Sequence, residues 1–258
     1  NHRKIVVVDG REGFVGGLNV GDEYMGLAPR LRPWRDTHLA VEGPVVQALQ
    51  LAFARDWYYG RQEVLHLEWD LEASPRDQQA LVVASGPSDP VETVGLLYIQ
   101  AIGAAQKRVW IASPYFVPDG SLLGALKVAA LRGVDVRVLM PRMADRWIFR
   151  FVPYAFLPEV ERVGVRVFLY EEGFMHQKVI LVDEEYAAVG TANLDNRSFR
   201  LNFEINILYN DGPFARDVAQ MLERDLARAT ELTLDDIDGK SFFFRLATQV
   251  TRLFAPVL

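Results

Sequence analysis

The sequence predicts an α/β protein of two related halves, each with a mixed, largely parallel sheet flanked by helices. Three observations lead there. The run His2-Arg3-Lys4-Ile5-Val6-Val7-Val8-Asp9 is answered by His176-Gln177-Lys178-Val179-Ile180-Leu181-Val182-Asp183, and Gly16 and Asn19 are answered by Gly190 and Asn193, all in one register without a gap. From residue 91 onward, short apolar runs alternate with segments of helical length, the pattern of strands carried between helices. A chain of 258 residues, half of them hydrophobic, can bury one large core or two of ordinary size. One copy of the motif could be accidental; two copies in one register are not.

Taken in order, Lys4–Asp9 and Lys178–Asp183 are β-branched runs, each ended by an acidic turn and followed by a second apolar step at Phe14–Val15 and Ala187–Val189. Each predicts a hairpin that puts His and Lys, two residues apart, on one face. Trp34–Glu42 predicts a further strand, and Gly43-Pro44 opens a helix to about Trp57, with Val45, Leu49, Ala52 and Phe53 at helical spacing. Arg61–Ser74 is polar and has no clear period. Leu81–Ala84 predicts a strand, and the cluster Ser85-Gly86-Pro87-Ser88-Asp89-Pro90 marks the boundary between halves at 1–88 and 89–258. Helices follow near 91–106, 120–132 and 145–163, with strands at 108–112, 134–139 and 165–169 between and after them. Strands at 178–183 and 203–209 extend the sheet, and helices near 213–229 and 241–254 end the chain.

Composition narrows the function. The absence of Cys excludes a disulfide framework, thiolate-bound zinc and a thiol nucleophile. The net charge is −6, and Lys and Arg form no long stripe, so a general nucleic-acid binder is not expected and phosphate recognition must be local. No run approaches the ~18–20 apolar residues of a membrane span, and the sequence as it stands is expected to be soluble.

The paired motifs carry the chemistry. Phosphodiester exchange needs a nucleophile, a proton donor for the leaving oxygen and fixed positive charge around the phosphoryl group. Two His, two Lys and two Asn supply all three. Imidazole, with an unperturbed pKa of ~6.5, can serve as a neutral nucleophile in one copy and a protonated acid in the other. Lys4, Lys178, Asn19 and Asn193 are the candidates to hold phosphate oxygens, by point charge and by directional amide donors. Asp9 and Asp183 complete the candidate catalytic motifs, although their place after the strand suits bracing a turn better than touching a substrate. No metal ligand cluster or cofactor motif is recognised, and none is expected.

These twin motifs resemble the His-x-Lys-(x4)-Asp signature of the phospholipase D superfamily. The blocks Gly16–Tyr24, Asp36-Thr37-His38, Ser113–Asp119 and Gly190–Phe199 narrow the resemblance to the bacterial cardiolipin synthase type, over nearly the whole chain. The resemblance implies a phospholipase D fold with one active site shared by the halves. It also implies phosphatidyl transfer through a phosphohistidine, with two phosphatidylglycerols giving cardiolipin and glycerol. His2 is then the expected nucleophile and His176 the acid and later the base, although the order could be reversed. Family likeness also points to buried carboxylates that orient the rings: Glu204 for His176 and Asp36 for His2. Family members carry more chain before the first motif, often with membrane-spanning helices. This chain is therefore expected to be a portion of a longer protein at a bacterial cell membrane, with a phospholipid as partner and its oligomeric state open.

The weaker candidates have bland alternatives. Arg197 and Arg200 suit either a headgroup pocket or salt bridges. His38, two residues from Asp36, is a candidate to support the site, and His66 reads as a surface residue. The aromatic stretch Trp147–Leu157, Phe242-Phe243-Phe244 and the final Leu253–Leu258 suit either a core or a bilayer surface. The rival functions are a phospholipid hydrolase or nuclease, and an inactive scaffold.

Overall fold

The computed structural model describes residues 1–72, 74 and 76–254. Its N-terminal half opens with strands β1 (Ile5–Val8), β2 (Glu12–Gly16), β3 (Trp34–Arg35) and β4 (His38–Glu42), followed by helix α1 (Val45–Arg61) and β5 (Gln79–Ser85). The alternating region comprises α2 (Thr93–Ala104), β6 (Arg108–Ala112), β7 (Phe116–Val117), α3 (Gly120–Leu131), β8 (Asp135–Pro141), α4 (Val152–Val160) and β9 (Arg166–Tyr170). After it come β10 (Phe174–Met175), β11 (Val179–Val182), β12 (Tyr186–Gly190), β13 (Leu194–Asp195), α5 (Asn196–Arg200) and β14 (Glu204–Asn210). The chain then runs through α6 (Gly212–Leu226), β15 (Ala229–Leu232), α7 (Asp235–Asp238) and α8 (Phe242–Phe254).

The repeat is structural as well as sequential. In β1–β2, Ile5 pairs with Val15 and Val8 with Glu12; in β11–β12, Val179 pairs with Val189 and Val182 with Tyr186. Both motif Asp residues turn the hairpin with φ near +50°, a left-handed conformation that Asp tolerates better than branched residues do. A third strand then joins each hairpin: β4 pairs with β2, bringing His38 opposite Gly16, and β14 pairs with β12, bringing Asn206 opposite Gly190.

The large sheet has the order β15-β9-β8-β6-β11-β12-β14-β5. It is mixed, as expected, but parallel pairing is confined to β6-β8-β9, so the sheet is not largely parallel. The reason lies in the connections: the two hairpin strands and the return to β14 pair antiparallel, and helix crossovers join neighbouring strands only at β6, β8 and β9. Element β5, which precedes the expected boundary, is hydrogen-bonded to β14 along its whole length, so the sheets are not divided where the sequence is.

Helices α2, α3 and α4 bury Ile102, Leu126 and Leu157 on one face of this sheet against Ile111, Val138 and Val167. Helix α6 covers part of the other face, where Val218 and Leu222 meet Leu139, Leu181 and Val189. Beside it the small β1-β2-β4 sheet and α1 pack Val15, Val41 and Leu49 onto Ile205, Ile207 and Tyr209, the alternate residues of β14. That contact presses the two hairpins together face to face and creates the site. The stretch 145–163 is broken rather than one helix, and Val152–Leu157 is core while Trp147 stays exposed. Phe242 and Phe243 are exposed as well, whereas Phe244 packs on Phe151 and Tyr154. Residues 255–258 of the terminal apolar stretch lie outside the described residues.

Candidate active site

Each motif His enters the site by a main-chain bond to the other half. The His2 N–H donates to the Phe203 carbonyl at 2.9 Å, and the His176 N–H donates to the Arg35 carbonyl at 2.7 Å. The residue after each acceptor is a carboxylate, and it meets the ring. Nδ1 of His2 lies 2.8 and 2.9 Å from the two oxygens of Glu204, and Nδ1 of His176 lies 2.9 Å from Asp36 Oδ2. The sequence-based pairing of Glu204 with His176 and Asp36 with His2 is therefore corrected: each carboxylate serves the His of the opposite half. Within one half, the hairpin's second strand separates the two groups by roughly 10 Å, two strand spacings. Across the packed faces nothing intervenes. With Nδ1–H given to a carboxylate, Nε2 of each neutral ring is the bare nitrogen.

Both acids are fixed by further donors. Glu204, fully buried, also accepts from Thr191 Oγ1 at 2.5 Å and Asn202 Nδ2 at 3.0 Å. Asp36 accepts from Trp34 Nε1 and from the Thr37 N–H, and a Cβ on Gly17 would overlap its carboxylate, which explains a glycine there. Behind these contacts stand two matching supports that the motif spacing did not reveal. Gln177 and Arg35 both bond Asp225 on α6, and Arg35 also donates to the Asp36 carbonyl. Arg3 bonds Asp56 on α1 and the Glu204 carbonyl. The residue between His and Lys thus ties each motif to the helix behind it.

The lysines are placed as the two-residue spacing requires. Lys4 Nζ donates to the His2 carbonyl and Lys178 Nζ to the His176 carbonyl, each at 2.7 Å. Burial lowers both pKa values, with Asp36 and Glu204 partly opposing it, and Lys178, which is wholly enclosed, falls to about 7. Burial, reinforced by the Lys178 charge and opposed by Asp36, lowers His176 to about 4. An aromatic collar surrounds that ring: the Trp34 centroid is 5.0 Å away, Phe174 5.9 Å and Tyr24 6.0 Å. Sequence reasoning gave Tyr24 and Trp34 no site role, although Tyr24 closes the block Gly16–Tyr24 and Trp34 stands two residues before Asp36.

The two Asn residues are not equivalent. Asn193 is buried, and its Oδ1 has no hydrogen-bond partner among the described residues. Asn19 lies exposed at the rim, bonded to the Val20 N–H and in contact with Tyr24. His38 sits beside Gly16 with Nδ1 enclosed and without a hydrogen-bond partner among the described residues, and burial lowers its pKa. His66 is exposed, Arg197 is exposed, and Arg200 forms ion pairs with Glu92 and Asp119. In the block Ser113–Asp119, Ser113 Oγ accepts from the Leu194 N–H and Asp119 caps α3.

Asp9 and Asp183 do not join the catalytic groups, a second correction. They turn the hairpins at the far ends of β1 and β11, about 20 Å of extended chain from the histidines. Asp183 accepts the backbone N–H groups of Gln106, Lys107 and Arg108 and so moors β6 to the hairpin. Asp183→Ala is expected to lower unfolding stability by about 2 kcal/mol, since it orphans three donors and removes a residue suited to positive φ. Denaturant unfolding measures that loss, and kcat should stay near wild type.

Among known proteins, the family described as "Cardiolipin synthase, PLD-like domain" matches residues 98–226. Cardiolipin synthase A of Pseudomonas entomophila is 50% identical over 258 residues, covering all of this chain and 54% of the relative. That of Pseudomonas fluorescens is 51% identical over 259 residues with the same coverage. The chain thus spans about half the length of these relatives. Among solved structures, phosphatidylserine synthase of Haemophilus influenzae superposes with a TM-score of 0.71 at 16% identity, covering 99% of this chain and 68% of that one. Nuc of Salmonella typhimurium, a phospholipase D family member, gives 0.52 at 20% identity over 61% of this chain and 99% of its own. At such identities these two likenesses show the fold alone.

Proposed function

Because the chain belongs to the cardiolipin synthase, phospholipase D-like family, we propose that it carries the transferase site of an enzyme that makes cardiolipin from two phosphatidylglycerols. One observation carries the reading: two His rings, each oriented through Nδ1 by a carboxylate of the opposite half, are accompanied by Lys4 and Lys178. His2 Nε2 attacks the donor phosphorus, the P–O bond to the headgroup glycerol breaks, and the departing oxygen takes the His176 proton. The acceptor phosphatidylglycerol hydroxyl then gives its proton to His176 and attacks the same phosphorus, the P–N bond breaks, and His2 is restored. The lysines and Asn193 hold the phosphoryl oxygens. His2 is given the attacking role because its side chain is the more open, at 31% exposure against 10% for His176.

The test is product analysis after incubation with phosphatidylglycerol vesicles, with and without a chelator and beside an oligonucleotide control. Cardiolipin plus glycerol is expected in both conditions, because nucleophile, acid and charge clamp are all side chains. Phosphatidic acid would indicate a hydrolase, cleaved oligonucleotide a nuclease, and rescue of a chelated enzyme by a divalent ion a different mechanism.

The low pKa of His176 adds a linked expectation. In the empty site this ring is neutral near pH 7, and Lys178 is only partly charged. A phosphodiester anion between the lysines favours the protonated form of both groups and pushes both pKa values up. Binding of an unreactive phosphodiester slightly above pH 7 should therefore take up protons, and the substrate itself arms the acid. Calorimetry in buffers of different ionisation enthalpy reads the uptake; heats that do not depend on the buffer would sink this account.

A further inference from the structure

A cation-lined cavity stands apart from the catalytic groups. A cavity of about 470 Å³ lies between the segment after β8, α4 and the start of α8, and four of its lining residues are cations: Arg30, Arg142, Arg150 and Lys240. Among the described residues no carboxylate lines it, in a chain whose net charge is −6. Arg142 is paired with Glu171, and Lys240 stands 5.7 Å over the rings of Tyr154 and Phe244. Arg30 and Arg150 have no ion-pair partner among the described residues. Clustered like charges repel, so four cations of which only Arg142 is paired with an acid make a site that an anion would relieve. Guanidinium groups match phosphate geometry in particular.

The surroundings indicate what kind of phosphate. Trp147, in the lining, is 75% exposed, and Phe243, next to the lining residue Phe244, is 79% exposed. Cations next to large apolar groups left in water are the composition of a surface that meets a lipid interface. A chain of contacts links the cavity to the catalytic site. Its Phe149 stacks on Tyr115 at 4.1 Å, Tyr115 lies two residues beyond Ser113, and Ser113 holds the backbone of Leu194 next to Asn193. Arg30 belongs to the loop that also carries Tyr24 to His176.

We propose that this cavity binds the phosphate headgroup of an anionic phospholipid in the bilayer, a second lipid distinct from the one on the histidines, and so seats the catalytic mouth on the membrane. The proposal rests on the lipid-transferase reading given above.

The experiment measures binding of the full chain to phosphatidylcholine vesicles with and without added phosphatidylglycerol. Arg30→Ala/Arg150→Ala removes the two unpaired cations without orphaning an acid. It is expected to weaken binding to the anionic vesicles on the order of 20-fold, about five-fold per cation, with an unchanged melting temperature. Lys240→Glu provides an independent second variant and should weaken binding in the same direction. Turnover of a water-soluble chromogenic phosphodiester should be unaffected by either change. Vesicle binding equal to wild type in both variants overturns the proposal. So does a parallel loss of soluble-substrate turnover, which would make the cavity part of the catalytic cleft. Stabilisation of wild type but not the double variant by inorganic phosphate, with equal vesicle binding, would assign the cavity to free phosphate instead. Anionic binding that depends on Arg30 and Arg150, without phosphatidyl transfer, would sink the proposed function and leave this site standing.

Discussion

His2→Ala is expected to yield no phospho-enzyme and to lower the transfer rate on the order of 10⁴–10⁶-fold, because the step it removes has no substitute among the neighbouring groups. His176→Ala is expected to cost less, about 10²–10⁴-fold, the range for loss of a general acid. The two variants should also differ in kind. With an activated donor whose leaving group needs no proton, His176→Ala should form the covalent intermediate and then stall, because the acceptor hydroxyl finds no base. Mass spectrometry of the trapped protein locates the phosphatidyl group. Label on His176 of the wild type would reverse the assignment, and label on neither His would remove the covalent mechanism altogether.

Much of this site is legible in the sequence, and the unread part has a common cause. The spacing of His2 and Lys4, repeated at His176 and Lys178, fixes side chains on one strand, and two-residue periodicity on a strand is a local property. The turns at Asp9 and Asp183 and the caps of α3 and α6 are local for the same reason. Which carboxylate faces which ring depends instead on how two sheets pack, and on that matter the sequence positions mislead. Glu204 is 28 residues from His176 but bonds His2, 202 residues away. Asp56 and Asp225 were unreadable for the same reason: they sit on the helices behind the sheets, and only the folded chain brings them to Arg3, Arg35 and Gln177. The parallel content of the sheet was overread because helix-length spacers at 113–164 were extrapolated to the hairpins, where connections are too short for a crossover.

The crossed pairing can be tested by the two orienting acids. Glu204→Gln keeps the shape of a fully buried side chain that accepts from His2, Thr191 and Asn202. An amide has one accepting oxygen where the carboxylate has two. If its NH₂ faces His2, Nδ1 must become the acceptor, the ring proton moves to Nε2, and the nucleophilic nitrogen is blocked. The expected loss is about 10²–10⁴-fold in kcat, as for other carboxylates that fix a catalytic tautomer. It should persist with the activated donor, since attack itself is impaired. Asp36→Asn acts on His176 and weakens the stabilised imidazolium, so its loss, of similar size with phosphatidylglycerol, should shrink in the formation of the intermediate from the activated donor. The opposite pattern, with Glu204→Gln rescued by the better leaving group and Asp36→Asn not, would contradict the pairing seen here or exchange the roles of the two histidines, and the trapped label separates those two cases. Melting temperatures decide whether either acid is only a brace. A buried acid that merely holds the fold would lower stability and leave the rate of the folded fraction unchanged, whereas an orienting acid lowers the rate of a protein that remains folded.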